Sequence, residues 1–243
     1  MIAAPQKNAS MDWISFYDFK HSVIYVNARH RDVHYRTIAT DISKLVPSPG
    51  ANVMDYGCGE ATSANILAAA SGHLTMVEAA PNVRAALAAR NAGNPKISVM
   101  TPDEAAAQPA GSFDMIVLHS VAQYLGGAEL DTLLATFHRL LKPNGLFVLG
   151  DIIQPRLAAP MAAWALLRFG AANGFFWAAV GGLIRIFVSD YLKIKSQVGL
   201  SHYEEAAMLK KLGDAGYDAK RAPRNIGHNQ QRMTFLARPL TRH

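Results

Sequence analysis

Asn52 to Leu67, NVMDYGCGEATSANIL, decides the fold. A short apolar strand ends in an acid. Two glycines follow, two residues apart, and then an Ala-rich helical segment begins. A glycine turn at a strand-to-helix junction commonly holds a nucleotide-like ligand, because its backbone allows close approach. The dinucleotide fingerprint G-x-G-x-x-G/A requires a third small residue, and after Gly57 and Gly59 that place holds Thr62. Asp55 stands two residues before the first glycine, at the strand tip. A carboxylate there repels a pyrophosphate and suits a ligand that offers hydroxyls or an ammonium group. Glu78 closes the next strand, 23 residues after Asp55. An acid at that tip can accept both hydroxyls of an unphosphorylated ribose. The plainer readings are a tight turn for the glycines, a solvated strand tip for Glu78 and a packed small side chain for Cys58.

Outward from this stretch, apolar runs alternate with helical segments. The runs are Asn52–Asp55, Leu74–Glu78, Ile97–Met100, Phe113–His119 and Leu146–Gly150. In AELDTLLATFHRLL, residues Leu130, Leu133, Leu134, Phe137, Leu140 and Leu141 fall on one helical face, and Lys142-Pro143-Asn144-Gly145 stops it. Continuous apolar strands separated by helices predict a parallel sheet covered on both faces. Residues 1–50 read as an N-terminal helical cap, helical around Val23–Leu45 and ended by VPSPG. Residues 51–151 form the core, and 152–200 an apolar helical insert. Residues 201–243 complete the same domain: a helix opened by a Ser201/Glu204 capping box and ended at Gly213 or Gly216, then strands at Tyr217–Ala222 and Arg232–Arg238.

Four stretches, in order, resemble the motifs of the class I S-adenosylmethionine-dependent methyltransferases. VMDYGCGEATS looks like motif I, and LTMVEAAP resembles the second motif. GSFDMIVLHSVAQYL and RLLKPNGLFVLGD are similar to the fourth- and fifth-strand motifs. One departure is Ala61, where the family often carries a third glycine. The resemblance implies a Rossmann-like, seven-stranded, mostly parallel sheet and S-adenosylmethionine as cofactor. It places Asp55, Gly57, Cys58 and Gly59 at the methionine part, Glu78 on the ribose, and Ala79 where the adenine face needs room. Asp103 would receive the adenine amino group if the loop after the third strand is one residue short; ungapped matching puts Pro102 there.

The acceptor side follows from the same geometry, since ligands of such sheets sit at the carboxyl ends of the strands. His119 ends the fourth strand at the methyl-transfer region, and Tyr124 follows. The resemblance brings the loop between the last two strands to this face, with Asn225, His228, Asn229 and Gln230. His119 and His228 are the candidate bases, because histidine titrates near neutral pH. His119 under the cofactor and His228 in an exposed turn are the plainer readings. His30 and His34 lie at i, i+4, but no accompanying Glu or third ligand follows, so no metal is expected. Tyr25, His30 or Arg31 from the N-terminal cap could instead reach the methionine carboxylate. Between Arg168 and Arg185 run sixteen uncharged residues, short of the ~20 that span a bilayer. This insert is read as a lid lining a hydrophobic acceptor pocket, with Trp164, Phe176 and Tyr191 toward the substrate. A peripheral membrane contact helped by Arg156, Arg168, Arg185, Lys193 and Lys195, and a homodimer interface, are the two alternatives.

Composition bounds the function. The net charge is +6 over 243 residues, yet Lys and Arg are scattered without a basic run, so nucleic acid is not expected. Cys58 is the single cysteine, which excludes an intrachain disulfide and fits a reducing compartment. The start MIAAPQKNASMDW lacks the apolar core of a signal peptide, so the expected location is cytoplasmic, with the inner membrane face as the alternative. The expected activity is methyl transfer to a hydrophobic or amphiphilic small molecule, at oxygen. An N-methyltransferase acting on a lipid headgroup and a cofactor-binding protein without turnover are the rival readings. A nicotinamide dehydrogenase is disfavoured by Asp55 and Thr62.

Overall fold

The computed structural model describes residues 18, 25–155, 159–188 and 200–240; Tyr191 lies outside them. Five strands run parallel: β1 (Asn52–Tyr56), β2 (His73–Val77), β3 (Ile97–Met100), β4 (Phe113–His119) and β5 (Leu141–Ile152). β6 (Tyr217–Arg221) and β7 (Met233–Pro239) close the sheet in the order β3-β2-β1-β4-β5-β7-β6. β7 is antiparallel to both its neighbours. The chain order reverses between β1 and β4, which is where open sheets of this kind open a ligand crevice.

The helices are α1 (Ala28–Ser43), α2 (Ala64–Ala70), α3 (Pro81–Asn91), α4 (Pro102–Ala106), α5 (Gly127–Leu140), α6 (Ala159–Asn173), α7 (Phe176–Val188) and α8 (Glu205–Asp214). Strand period two divides the core between two helical layers. Ile116 and Leu118 of β4 join Phe137 of α5 and Met208 of α8. Met115 and Val117 face the other way, with Ile42 of α1, Leu67 of α2 and Leu87 of α3. Each such fully buried side chain contributes roughly 1.5–3 kcal/mol.

Boundaries shift where packing overrides local signals. Leu141 is already extended and pairs with Phe113, so β5 starts before Lys142-Pro143-Asn144-Gly145 and not after it. The Ser201/Glu204 capping box does not form. Ser201 is drawn away to donate from its N and Oγ to the Gln123 and Leu125 carbonyls at 2.8 and 2.9 Å, and Glu204 itself becomes the N-cap of α8. A capping box does open α4. Thr101 Oγ1 accepts from Glu104 N at 3.1 Å, and Glu104 Oε2 accepts from Thr101 N at 2.7 Å. Asp18 caps α3 from a distance, its carboxylate accepting from Asn82 N at 2.7 Å.

The apolar insert is a helical hairpin. Asn173 and Gly174, the latter at φ +73°, end α6, and Phe175 leads into α7. Among the described residues, no helix is long and apolar enough to cross a membrane.

Candidate cofactor and acceptor site

The glycine turn is a shaped cradle. Gly57 and Gly59 adopt φ +72° and +61°, angles that side-chain-bearing residues rarely take. A Cβ at Gly57 would stand 2.4 Å from Val121 Cγ2, and one at Gly59 2.8 Å from Tyr35 Oη. The turn is held by Gly57 N donating to Val77 O at 2.7 Å and by Gly59 N donating to Glu78 Oε2 at 2.9 Å. Glu78 Oε1 accepts from Ala80 N at 2.8 Å. With one backbone amide on each oxygen, this carboxylate keeps lone pairs free for hydroxyls.

A cavity of about 290 Å³ opens over the cradle. Asp55, Gly57, Cys58, Gly59, Glu78 and Ala79 line its floor; Tyr25, His34 and Tyr35 cover it; His119, Ser120, Val121 and Tyr124 form the far wall. Burial, and then repulsion from Glu78, raise the Asp55 carboxyl to about 7. Burial also raises Glu78, partly offset by the amides of Ala80 and Gly59. Two carboxyls held above their ordinary range in one cavity favour a cationic, hydroxyl-bearing ligand, which would relieve both. The Cys58 thiol is likewise pushed up by burial, so it is an inert packed side chain. A sulfonium nucleoside fits these groups: the carboxylates are the counter-charge and the acceptors its hydroxyls need, and the glycines leave the room a Cβ would fill.

At the tips of β4 and β5 the backbone is strained. Ser120 and Asp151 take φ +59° and +66°, unusual for residues with side chains. Their conformations join them: Ser120 Oγ donates to Asp151 Oδ2 at 2.6 Å, and Arg232 donates to the same oxygen at 2.5 Å. Burial pushes the Asp151 carboxyl up, but Arg232, His119 and the Ser120 hydroxyl together hold it below the usual carboxylate range. With its proton committed to Asp151, the Ser120 hydroxyl accepts from His119 Nδ1 at 3.1 Å. His119 Nε2 lies 3.5 Å from the Ile226 carbonyl, which only accepts, so both ring nitrogens face groups that take a proton and a neutral ring satisfies one of them. Burial lowers the His119 pKa, and Asp151 opposes the shift.

Above this wall the three chain regions meet in an aromatic cluster. His228 stacks on Phe169 of α6 with centroids 4.3 Å apart, and His30 stacks on Phe175 at 4.9 Å. His34 lies 5.9 Å from His228 and 6.1 Å from His30, ring to ring. Desolvation holds all three histidines neutral, His34 at about 3 and His30 at about 4. The spacing of His30 and His34 therefore serves an aromatic cap joining α1, the β6–β7 loop and the hairpin.

Of the residues expected from sequence, Tyr25, Asp55, Gly57, Cys58, Gly59, Glu78, Ala79, His119 and Tyr124 line one cavity. Asp103 does not: the Thr101 capping box opens α4 and turns Asp103 to solvent, so Pro102 lines the wall instead. Arg31 faces Glu60 of the glycine turn at 3.4 Å. His228 and Asn229 are off the cavity wall. Asn229 O accepts from Asn225 Nδ2 at 3.0 Å, which folds the loop. Trp164 and Phe176 are outward, 61% and 37% exposed, because the inner faces of the hairpin are taken by Phe169 and Phe175. Tyr35, Ser120, Asp151 and Arg232 were missed. Tyr35 had a signal, one helical turn after Arg31, and its Oη accepts from Glu60 N at 3.0 Å. The strained pair had none, since positive φ at Ser and Asp is not written in a sequence.

A sheet of this order, with a glycine cradle after β1 and an acid at the tip of β2, defines the class of Rossmann-like methyltransferase folds. Residues 54–149 match the model of the family described as a methyltransferase domain. Over those residues the chain resembles a methyltransferase domain, and its cavity fits the S-adenosylmethionine such an enzyme uses. An uncharacterized methyltransferase of Synechocystis sp. is 28% identical over 120 residues, 47% of this chain and 53% of that one. The chain thus spans about half the length of the curated relative it matches. Among solved structures, magnesium protoporphyrin IX methyltransferase from Synechocystis PCC 6803 with bound S-adenosylhomocysteine aligns at TM-score 0.61 and 17% identity, over 93% of this chain and 98% of that one. Burkholderia thailandensis 1,6-didemethyltoxoflavin-N1-methyltransferase aligns at 0.59 and 16%, over 99% and 94%. At these identities the two structures share the fold.

Proposed function

We propose that the chain transfers a methyl group from S-adenosylmethionine to an oxygen of an apolar or amphiphilic small molecule. The observation that carries this reading is the His119–Ser120–Asp151 chain of hydrogen bonds, placed on the wall of the cofactor cavity and roofed by aromatic side chains. The cofactor supplies an electrophilic methyl group on a sulfonium. Glu78 would hold the ribose hydroxyls, and Asp55 would face the cationic methionine part. Tyr25, Tyr35 and Tyr124 on the cavity wall would shield the acceptor from water. His119 would take the proton of the acceptor hydroxyl, whose oxygen would receive the methyl group that bound S-adenosylmethionine would supply, with S-adenosylhomocysteine as the second product. The imidazolium that forms is stabilised through Ser120 by the Asp151 carboxylate. The two fold neighbours named for an acceptor act on unlike compounds, so the apolar roof, and not the fold, selects the acceptor class.

The test is release of S-adenosylhomocysteine with pooled amphiphilic hydroxyl compounds. The expected loss in His119→Asn is about 10²–10⁴-fold in kcat, with cofactor affinity nearly unchanged. Equal loss of cofactor affinity would make His119 a packing residue beneath the cofactor. Turnover only with hydrophilic or nitrogen acceptors would overturn the acceptor assignment.

A further inference from the structure

Among the described residues, six large hydrophobic side chains are exposed, and five of them sit on the α6–α7 hairpin; Leu240 is the sixth. They are Met161 (52%), Trp164 (61%), Phe176 (37%), Trp177 (81%) and Ile184 (58%). On α6, Met161, Trp164 and Arg168 follow helical spacing on one exposed face. On α7, Trp177 and Ile184 lie two turns apart, beside exposed Arg185. The opposite side of the hairpin is fixed to the body of the molecule. Phe169 and Phe175 stack on His228 and His30, and Arg29 Nε donates to Asn173 O at 2.5 Å. A Cβ on Gly182 would stand 2.4 Å from Val26 Cγ1, so α7 sits directly on the N-terminal segment. The inner face is therefore fixed to the body of the molecule, and no described residue covers the outward one.

Its charge decides what covers it. From Ile152 to Ser189 there is no Asp or Glu, and the exposed charges of the hairpin are Arg168 and Arg185. A second copy would bring the same patch against itself and oppose cations with no acid to pair them. A surface with exposed tryptophans, aliphatic side chains and arginines, and no acids, suits the headgroup boundary of an anionic bilayer. We propose that the outward face of the α6–α7 hairpin docks the protein on an anionic phospholipid surface. The inner face of the same hairpin packs on His30 and His228, next to His34 of the cavity wall, so docking would turn that side of the molecule toward the bilayer. Docking itself does not require the methyl-transfer reading to hold.

The experiment is sedimentation of the full chain with sucrose-loaded vesicles of phosphatidylcholine alone or mixed with phosphatidylglycerol. The expected result is pelleting with the anionic vesicles, weakened by salt, and little with the neutral ones. Trp164→Ser with Trp177→Ser should lower the apparent affinity by about tenfold or more, and Arg168→Gln with Arg185→Gln should remove the preference for anionic lipid. Met161→Ser with Ile184→Ser tests the same face through different side chains. None of these residues lines the cofactor cavity, so calorimetric binding of S-adenosylmethionine certifies each variant as folded and separately tests the cofactor assignment. Three results overturn the proposal. One is a wild type that stays in solution with anionic vesicles. Another is folded tryptophan variants that pellet as the wild type does. The third is a wild-type dimer that those substitutions split, which would make the face a homodimer interface.

Discussion

At the scale of single residues, the site turns on two carboxyls, Asp55 and Glu78, whose pKa values burial raises. The Asp55 carboxyl sits at about 7, against about 3.9 in an unfolded chain. A raised pKa means that the folded protein keeps this proton where the unfolded chain has lost it. The stability contributed by this group is thus full below about pH 4 and is lost as pH rises toward about 7, beyond which nothing more is lost. A cationic ligand reverses the balance, because it pairs only with the ionised form. Affinity for S-adenosylmethionine should therefore rise with pH up to about 7 and then level, with a proton released on binding below that point. Calorimetry in buffers of different ionisation enthalpy reads the release, and Asp55→Asn should abolish both the release and the slope. A slope unchanged in Asp55→Asn would assign it to another group. That Asp55, Gly57, Gly59 and Glu78 meet around one cavity was legible because acid, glycine spacing and strand tips coincide in the sequence. Asp103 was not, because a capping box at Thr101 competes for the same four residues and wins locally. Asp151 and Ser120 were invisible, since their conformations depend on strained angles and on Arg232 arriving from the loop before β7.

At the scale of elements, periodicity carried the strands and α5, while the insert was only half readable. Composition showed residues 157–188 as apolar but did not show that Gly174 folds them back into two helices with unlike faces. The distinction rests on which aromatics turn inward: Phe169 and Phe175 do, and Trp164 and Trp177 do not. A near-parallel ring stack adds about 0.5–1.5 kcal/mol to the burial of Phe169 itself. Phe169→Ala should thus destabilise the protein by about 2–4 kcal/mol in denaturant unfolding, with affinity for S-adenosylmethionine unchanged. A stability loss within about 0.5 kcal/mol would show that the hairpin does not depend on this stack. Loss of cofactor affinity at unchanged stability would place Phe169 in the cofactor site and not in the roof.

At the scale of the whole molecule, one sheet supplies everything the chemistry needs. The reversal between β1 and β4 opens the crevice, β2 brings Glu78 to its edge, and the β6–β7 loop and hairpin meet α1 in the aromatic cluster beside it. This architecture follows from the alternation of apolar runs with helices, which the core divides between its two layers. The central claim is that the cavity over Gly57 and Gly59 takes S-adenosylmethionine. Calorimetric titration of the cofactor into wild type and Glu78→Ala tests it most directly. The account predicts saturable one-site binding to the wild type, weakened by about tenfold or more when the carboxylate is removed. No binding to the folded wild type, or affinity indifferent to Glu78, would contradict it.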